Sequence, residues 1–222
     1  MRGLYAIVDV DSLEKRGLDP RRFAESVIAA RPAALQVRDK SGGARRTLAL
    51  LRAIAPAAAT AGVPLFANDR PDLALLAKCD GVHVGQEDLP VALVRSLAAA
   101  RMLRVGLSTH DAAQVEAAIA DAPDYIAIGP IFPTVSKDKP SPVVGIDGLA
   151  TLAARVRAAR PGLPIVAIGG IALENAARVG ALADAAAVIQ ALLPAGSGSP
   201  WDEITARARA LHAAIRGEES AS

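Results

Sequence analysis

Ala34-Leu35-Gln36-Val37-Arg38-Asp39-Lys40 begins as a short apolar run and ends charged. A strand alternates faces with period two, so Gln36 and Arg38 share a face and Lys40 continues their line. An amide and two cations on one face can grip an anion, Arg with a fork of donors and Lys with a compact charge. The competing reading is a solvated strand end. Similar short runs occur at 4–10, 64–67, 81–84, 104–107, 125–128, 164–168 and 185–189, giving eight in all. Between them lie longer segments with apolar residues at helical spacing, such as Phe23, Val27 and Ile28, or Leu48, Leu51 and Ile54. Val91, Val94 and Leu97, then Val115, Ala118 and Ile119, then Leu149, Leu152 and Val156 continue the series, and Trp201, Ile204, Ala208 and Leu211 close it. Asp19-Pro20, Arg70-Pro71-Asp72, Thr109-His110-Asp111 and Ser199-Pro200 read as helix starts. Eight strands alternating with eight helices define an α/β chain, either a barrel or a doubly wound sheet. Near-continuous apolar strands fit a parallel sheet covered on both faces. At 222 residues the expectation is a single (β/α)8 TIM barrel over residues 1–216, with a frayed polar tail at 217–222.

Composition excludes several classes. Aromatic residues are 3% of the chain, too few for a base-stacking platform, and a net charge of +2 gives no global field for a polyanion. No nucleic-acid partner is expected, and attraction for an anionic ligand must be local. The single cysteine, Cys79, rules out an internal disulfide and reads as a small buried apolar residue. No run approaches the roughly 18 apolar residues of a membrane span. Residues 4–8 read as a strand rather than a signal peptide, so no membrane association and a cytoplasmic location are expected.

Polar residues and glycines follow almost every strand, which is where such barrels keep their chemistry. Asn68-Asp69-Arg70 follows the third run, and Gly85-Gln86-Glu87-Asp88 the fourth. Asp69 and Asp88 could converge at neighbouring strand ends; two carboxylates with water and phosphate oxygens suit magnesium. The alternative is that each caps the helix that follows. His83 reads as a packed or hydrogen-bonded core histidine. Ser108 is placed to bond a ligand or to cap a helix. The long segment after the sixth run carries Thr134, Ser136 and Lys137, which suit phosphate oxygens, and its length suggests a lid. Gly169-Gly170 after the seventh run would let backbone N–H groups approach a phosphate, and Ile189-Gln190 follows the eighth.

Taken in order, Gln36-Val37-Arg38-Asp39-Lys40, Asn68-Asp69-Arg70, His83-Val84-Gly85-Gln86-Glu87-Asp88, Gly106-Leu107-Ser108-Thr109-His110, Gly129-Pro130-Ile131-Phe132-Pro133-Thr134 with Ser136-Lys137, and Gly169-Gly170-Ile171 resemble the thiamine-phosphate synthase family. The likeness covers residues from about 4 to 192, and six ordered motifs make it specific. It implies a transferase of thiamine biosynthesis. Such an enzyme joins 4-amino-2-methyl-5-(diphosphooxymethyl)pyrimidine to 4-methyl-5-(2-phosphooxyethyl)thiazole, giving thiamine phosphate and pyrophosphate by a dissociative, Mg2+-assisted route. Carried over, Gln36, Arg38, Lys40, Asn68, Ser108 and Lys137 would bind the pyrimidine diphosphate. Lys137, Arg38 and Ser108 would be catalytic, and Asp69 and Asp88 would hold magnesium. Thr134, Ser136 and the backbone of Gly170, Ile189 and Gln190 would bind the thiazole phosphate. Ser136 stands where the family often has threonine, and Gln190 where it often has serine; only a side-chain contact would make the second change matter.

Two rivals remain. A thiazole tautomerase-type relative on the same barrel tends to lose the metal aspartates and to carry a histidine where this chain has Pro130. A non-catalytic phosphate-ligand binding protein has no use for a shielded leaving group. The partners expected are the two small-molecule substrates, and assembly is left open between monomer and homo-oligomer.

Overall fold

The computed structural model describes residues 1–97, 103–134, 142–196 and 198–218. Eight strands form a closed parallel barrel in sequence order: β1 (Gly3–Asp9), β2 (Ala34–Arg38), β3 (Leu65–Asn68), β4 (Gly81–Val84), β5 (Arg104–Thr109), β6 (Tyr125–Ile128), β7 (Ile165–Ile168) and β8 (Ala185–Val188). β1 pairs with both β2 and β8, placing Tyr5 opposite Ala34 on one side and Ala187 on the other. That closure removes the doubly wound alternative. The strands fall where the eight apolar runs lie, shifted by one or two residues at some ends.

The helices between them are α1 (Val10–Glu14), α2 (Pro20–Ile28), α3 (Ala44–Ala61), α4 (Pro71–Leu76), α5 (Val91–Ser96), α6 (Ala112–Asp121), α7 (Gly145–Ala159), α8 (Leu173–Gly180) and α9 (Pro200–Arg216). The described residues thus hold nine, not eight, because β1 is followed by two. Asp9 breaks the chain there, its carboxylate accepting from Ser12 N at 3.1 Å. Asp19, with Pro20 behind it, caps α2 through Arg22 N at 2.7 Å, and Asp111 caps α6 through Gln114 N at 2.8 Å. The start at Arg70 differs from expectation: no side chain caps α4, and Asp72 instead pairs with Arg70.

Two apolar layers follow from the alternation of each strand. Outward residues such as Leu4, Leu35, Val82 and Ile126 pack under the helices. Inward residues, among them Tyr5, Ile7, Phe66, Tyr125 and Val166, fill the barrel. Tyr5, Phe66 and Tyr125 lie with ring centroids 5.8 Å apart. Neighbouring strands make room for them. A Cβ on Gly106 would stand 1.9 Å from the Tyr125 ring, and one on Gly81 would stand 2.3 Å from that of Phe66.

The N-terminal face carries a repeated tie. Asp80, Asp124 and Asp184 each precede an even-numbered strand and accept, at 2.7–2.8 Å, an N–H at the start of the strand before: Leu65 and Ile165, the first residues of β3 and β7, and Val105, the second of β5. Below β1, α9 packs on β1, α2 and α8 and sets the His212 imidazole under Gly3. Among the described residues no helix is long and apolar enough to cross a membrane.

Candidate active site

The C-terminal ends of the strands open into one cavity of about 1330 Å³. Gln36, Arg38, Lys40, Asn68, Asp69, Asp88, Ser108, Thr134, Gly170, Ile189 and Gln190 all line it. Every site residue read from the sequence that lies among the described residues is therefore brought together. Ser136 and Lys137 lie outside the described residues.

On β2, Gln36 is buried within the barrel and Arg38 lies at the rim. The guanidinium of Arg38 pairs with Asp9 at the end of β1, a carboxylate only 4% exposed. A buried carboxylate needs such a partner, and the pair aims Arg38 at the cavity rather than at solvent. The next loop is anchored by Asp39. Its carboxylate accepts from Gly42 N at 2.9 Å, from Thr47 Oγ1 at 3.0 Å and from the Arg46 guanidinium at 2.5 Å. Burial would push the Asp39 carboxyl up, but Arg46 and Thr47 outweigh it and hold it below the usual range. Asp39 thus fixes the loop that carries Lys40.

Lys40, past the end of β2, reaches the carboxylate of Asp69 at the end of the adjacent β3. Asp69 adopts φ +60°, and its N–H donates to His83 O at 2.8 Å. Aspartate is among the few side chains that tolerate this left-handed backbone. The turn lifts its carboxylate off the strand and toward Asp88 on the neighbouring loop. Asp88 accepts from Gly85 N at 2.7 Å. Burial raises the Asp88 carboxyl, the Asp69 carboxylate beside it raises it further, and Gly85 N–H and Lys40 pull the other way. Neither aspartate caps a helix: α4 begins at Pro71 after Arg70 without a side-chain cap, and α5 follows Pro90.

Beneath these charges a line of hydrogen bonds crosses the barrel. Gln36 Nε2 donates to Tyr5 Oη at 3.2 Å, and Tyr5 Oη lies 2.9 Å from Tyr125 Oη. Tyr125 Oη lies 2.8 Å from His83 Nδ1, and His83 Nε2 lies 2.8 Å from Ser108 Oγ. The reading of His83 as a hydrogen-bonded core residue holds, and Ser108 caps no helix. Burial pushes both tyrosine hydroxyls well above their ordinary range, so both stay protonated. Sequence reasoning missed Tyr5, Tyr125 and Asp9. All three stand at inward positions of their strands, the one signal that could have found them.

At the far wall, Gly169 and Gly170 have φ of +102° and +62°. They are also crowded: a Cβ on Gly169 would meet Pro130 at 2.6 Å, and one on Gly170 would meet Pro133 O at 2.5 Å. Ile131 N and Phe132 N donate to Ile168 O and Gly169 O, tying the segment after β6 to the turn after β7. The glycine pair is thus required by the fold as well as open to a phosphate. The Gln190 side chain lies toward Ser12 Oγ at 3.5 Å. Cys79 is buried behind α4, and burial pushes its thiol up to about 12, so it is no nucleophile.

Among the described residues no cluster of three or more acidic, histidine or cysteine side chains could hold a metal. A site here rests on two carboxylates, which suits a hard cation that keeps several waters.

A parallel eight-stranded barrel with cations and paired carboxylates over one C-terminal cavity is the scaffold of a barrel enzyme acting on phosphorylated ligands. The sequence profile described as thiamine monophosphate synthase matches residues 4–192. The thiamine-phosphate synthase of Chloroflexus aurantiacus is 38% identical over 96% of this chain and 92% of its own length. That of Koribacter versatilis is 44% identical over 86% and 88%; that of Anaeromyxobacter dehalogenans is 40% identical over 99% and 92%. Among solved structures, the thiamine phosphate pyrophosphorylase from Pyrococcus furiosus overlays with a TM-score of 0.80 at 24% identity, covering 97% of this chain and 96% of that one. A 2-keto-3-deoxy-6-phospho-gluconate aldolase from Zymomonas mobilis shares the fold at a TM-score of 0.68 and 17% identity, over 96% and 93%. The chain belongs to the thiamine monophosphate synthase family.

Proposed function

We propose that this chain is the transferase of thiamine biosynthesis that joins 4-amino-2-methyl-5-(diphosphooxymethyl)pyrimidine to 4-methyl-5-(2-phosphooxyethyl)thiazole, releasing pyrophosphate. The observation that carries the reading is the apposition of Asp69 and Asp88 beside Lys40 and Arg38 on one cavity wall, in a chain of this family.

The reaction is dissociative. The bond from the methylene carbon to the diphosphate oxygen breaks, and its electron pair leaves with pyrophosphate. The pyrimidine-stabilised methylene cation is then captured by the lone pair of the thiazole nitrogen, forming the new C–N bond. No protein nucleophile is needed. The chain's work is to neutralise the leaving group, exclude water and hold two reactants in line. Arg38, held by Asp9, meets diphosphate oxygens without reorganising. Lys40 exchanges its present carboxylate partner for the same oxygens, and Lys137 adds a third cation. Gln36, Asn68 and Ser108 orient the pyrimidine end. Thr134, Ser136 and the backbone of Gly170, Ile189 and Gln190 receive the thiazole phosphate. With the Gln190 side chain turned toward Ser12, its departure from serine is harmless to a backbone contact.

Two adjacent carboxylates, with Asp69 raising the proton affinity of Asp88, are a fitting place for a dication. Asp69 and Asp88 would hold Mg2+, which would supply charge to shield the diphosphate as a leaving group. The reading puts one barrel domain, residues 1–216, in the cytoplasm.

Pyrophosphate release from purified protein tests the assignment, with the pyrimidine diphosphate, the thiazole phosphate and magnesium omitted in turn. Release that needs all three supports it. Binding of either substrate without release points to the tautomerase-type or binding-protein reading.

A further inference from the structure

The line of hydrogen bonds under the cavity has a direction, and the direction follows from counting hydrogens. Gln36 Nε2 has only hydrogens to give, so Tyr5 Oη accepts from it. The second partner of the Tyr5 hydroxyl is Tyr125, 2.9 Å away, so the single Tyr5 hydrogen goes there. Tyr125, having accepted, gives its own hydrogen to His83 Nδ1. An imidazole that accepts at Nδ1 carries its hydrogen on Nε2 when neutral, and that nitrogen faces Ser108 Oγ at 2.8 Å. Ser108 thus accepts from His83 and keeps its own hydrogen for an acceptor in the cavity it lines. Its main chain is held as well, Gln86 Nε2 donating to Ser108 O at 2.6 Å.

We propose that Tyr5 and Tyr125 are positioning residues: they transmit a one-way hydrogen-bond order from Gln36 that fixes His83 as the Nε2–H tautomer and presents Ser108 to the substrate as a hydrogen-bond donor. Neither tyrosine touches the cavity; each acts through its neighbour. Burial keeps both hydroxyls protonated, so the chain sets orientation and supplies no proton. Gly106 belongs to the same device, since only a residue without Cβ leaves space for the Tyr125 ring that carries the hydroxyl to His83. The role of Ser108 as donor to an acceptor atom of the pyrimidine diphosphate rests on the function proposed above. The tautomer of His83 does not.

The test has two arms. In the first, the ¹⁵N spectrum of imidazole-labelled protein is recorded in alkaline buffer, where histidine titration is complete. The chain has three histidines, which His110→Gln and His212→Gln assign by loss of their signals. Two serve as internal references: His110 Nδ1 faces the carbonyl of Gly129 and must donate, while His212 Nδ1 faces Leu4 N–H and must accept. His83 is expected to match His212, with its proton on Nε2. A proton on Nδ1, or an even mixture, overturns the proposal whatever the enzyme's substrate. In the second arm, Tyr125→Phe is expected to lower kcat about five- to tenfold, the loss of one oriented hydrogen bond, with KM for the thiazole phosphate unchanged. Because Tyr125 acts through Ser108, the Tyr125→Phe, Ser108→Ala double variant should lose no more than Ser108→Ala alone. Losses that multiply would refute the coupling. Should Tyr125→Phe fail to fold, the spectrum of the unaltered enzyme still decides.

Discussion

Asp69 and Asp88 hold like charges side by side, offset among the described residues by Lys40 and by the Gly85 N–H. Asp69→Ala or Asp88→Ala should therefore lower magnesium-dependent turnover by roughly a hundredfold or more. The melting temperature should hold or rise, since a repulsion is relieved and the exposed Lys40 loses little. Steady-state pyrophosphate release with a thermal melt checks both halves; full activity in both variants would remove the aspartates from the site. These residues were legible because each follows an apolar run. Their convergence was not, since it depends on the positive φ of Asp69 and on the Gly85–Asp88 turn. The sequence allowed each aspartate to be a helix cap, and only the turns decide against that.

The elements are joined at the N-terminal face by carboxylates that hold strand N–H groups. Asp184→Ala would leave Ile165 N–H without its acceptor at the start of β7. It should cost about 1–2 kcal/mol in a denaturant titration, with kcat of the folded enzyme unchanged because the tie lies at the opposite end of the barrel from the site. On α9, burial and then the Arg216 charge push the His212 imidazole below its ordinary value of 6.5, while Glu218 opposes them. The folded chain therefore prefers the neutral ring. As pH falls through about 6.5 the unfolded chain takes up a proton that the folded chain does not, and stability declines until the lowered folded value is passed. His212→Gln should flatten that slope in unfolding curves taken at stepped pH. A slope that survives unchanged would assign the dependence to another group. Helix faces and most caps were readable here, because periodicity and capping are local. The extra helix after β1 was not. Asp9 serves at once as strand end, cap and partner of Arg38, and only the last of these depends on a residue from another strand.

For the whole molecule, the barrel interior decides how the cavity floor is built. Gly106→Ala would drive a Cβ into the Tyr125 ring. The expected cost is about 1–3 kcal/mol of stability, together with a loss of turnover beyond what a surface change gives, since Tyr125 leads through His83 to Ser108. A protein with unaltered melting and turnover would show that the interior can repack around the added methyl group.

The order of apolar runs, the helical spacing between them and the polar residues at the run ends are properties of the chain itself. They determined an alternating β/α architecture, the end of it that carries the chemistry and most of the rim residues, because backbone alternation and local hydrogen bonding act over a few residues. Closure of β1 on β8, the meeting of Asp69 with Asp88, and the line from Gln36 through two tyrosines to Ser108 join residues up to 182 positions apart, as Ala6 and Val188 stand across the closing pair. Such contacts arise only when the sheet twists shut and inward side chains from different strands compete for one interior. Which of them fit there is settled by volume and by satisfied hydrogen bonds, and neither is written in any one segment.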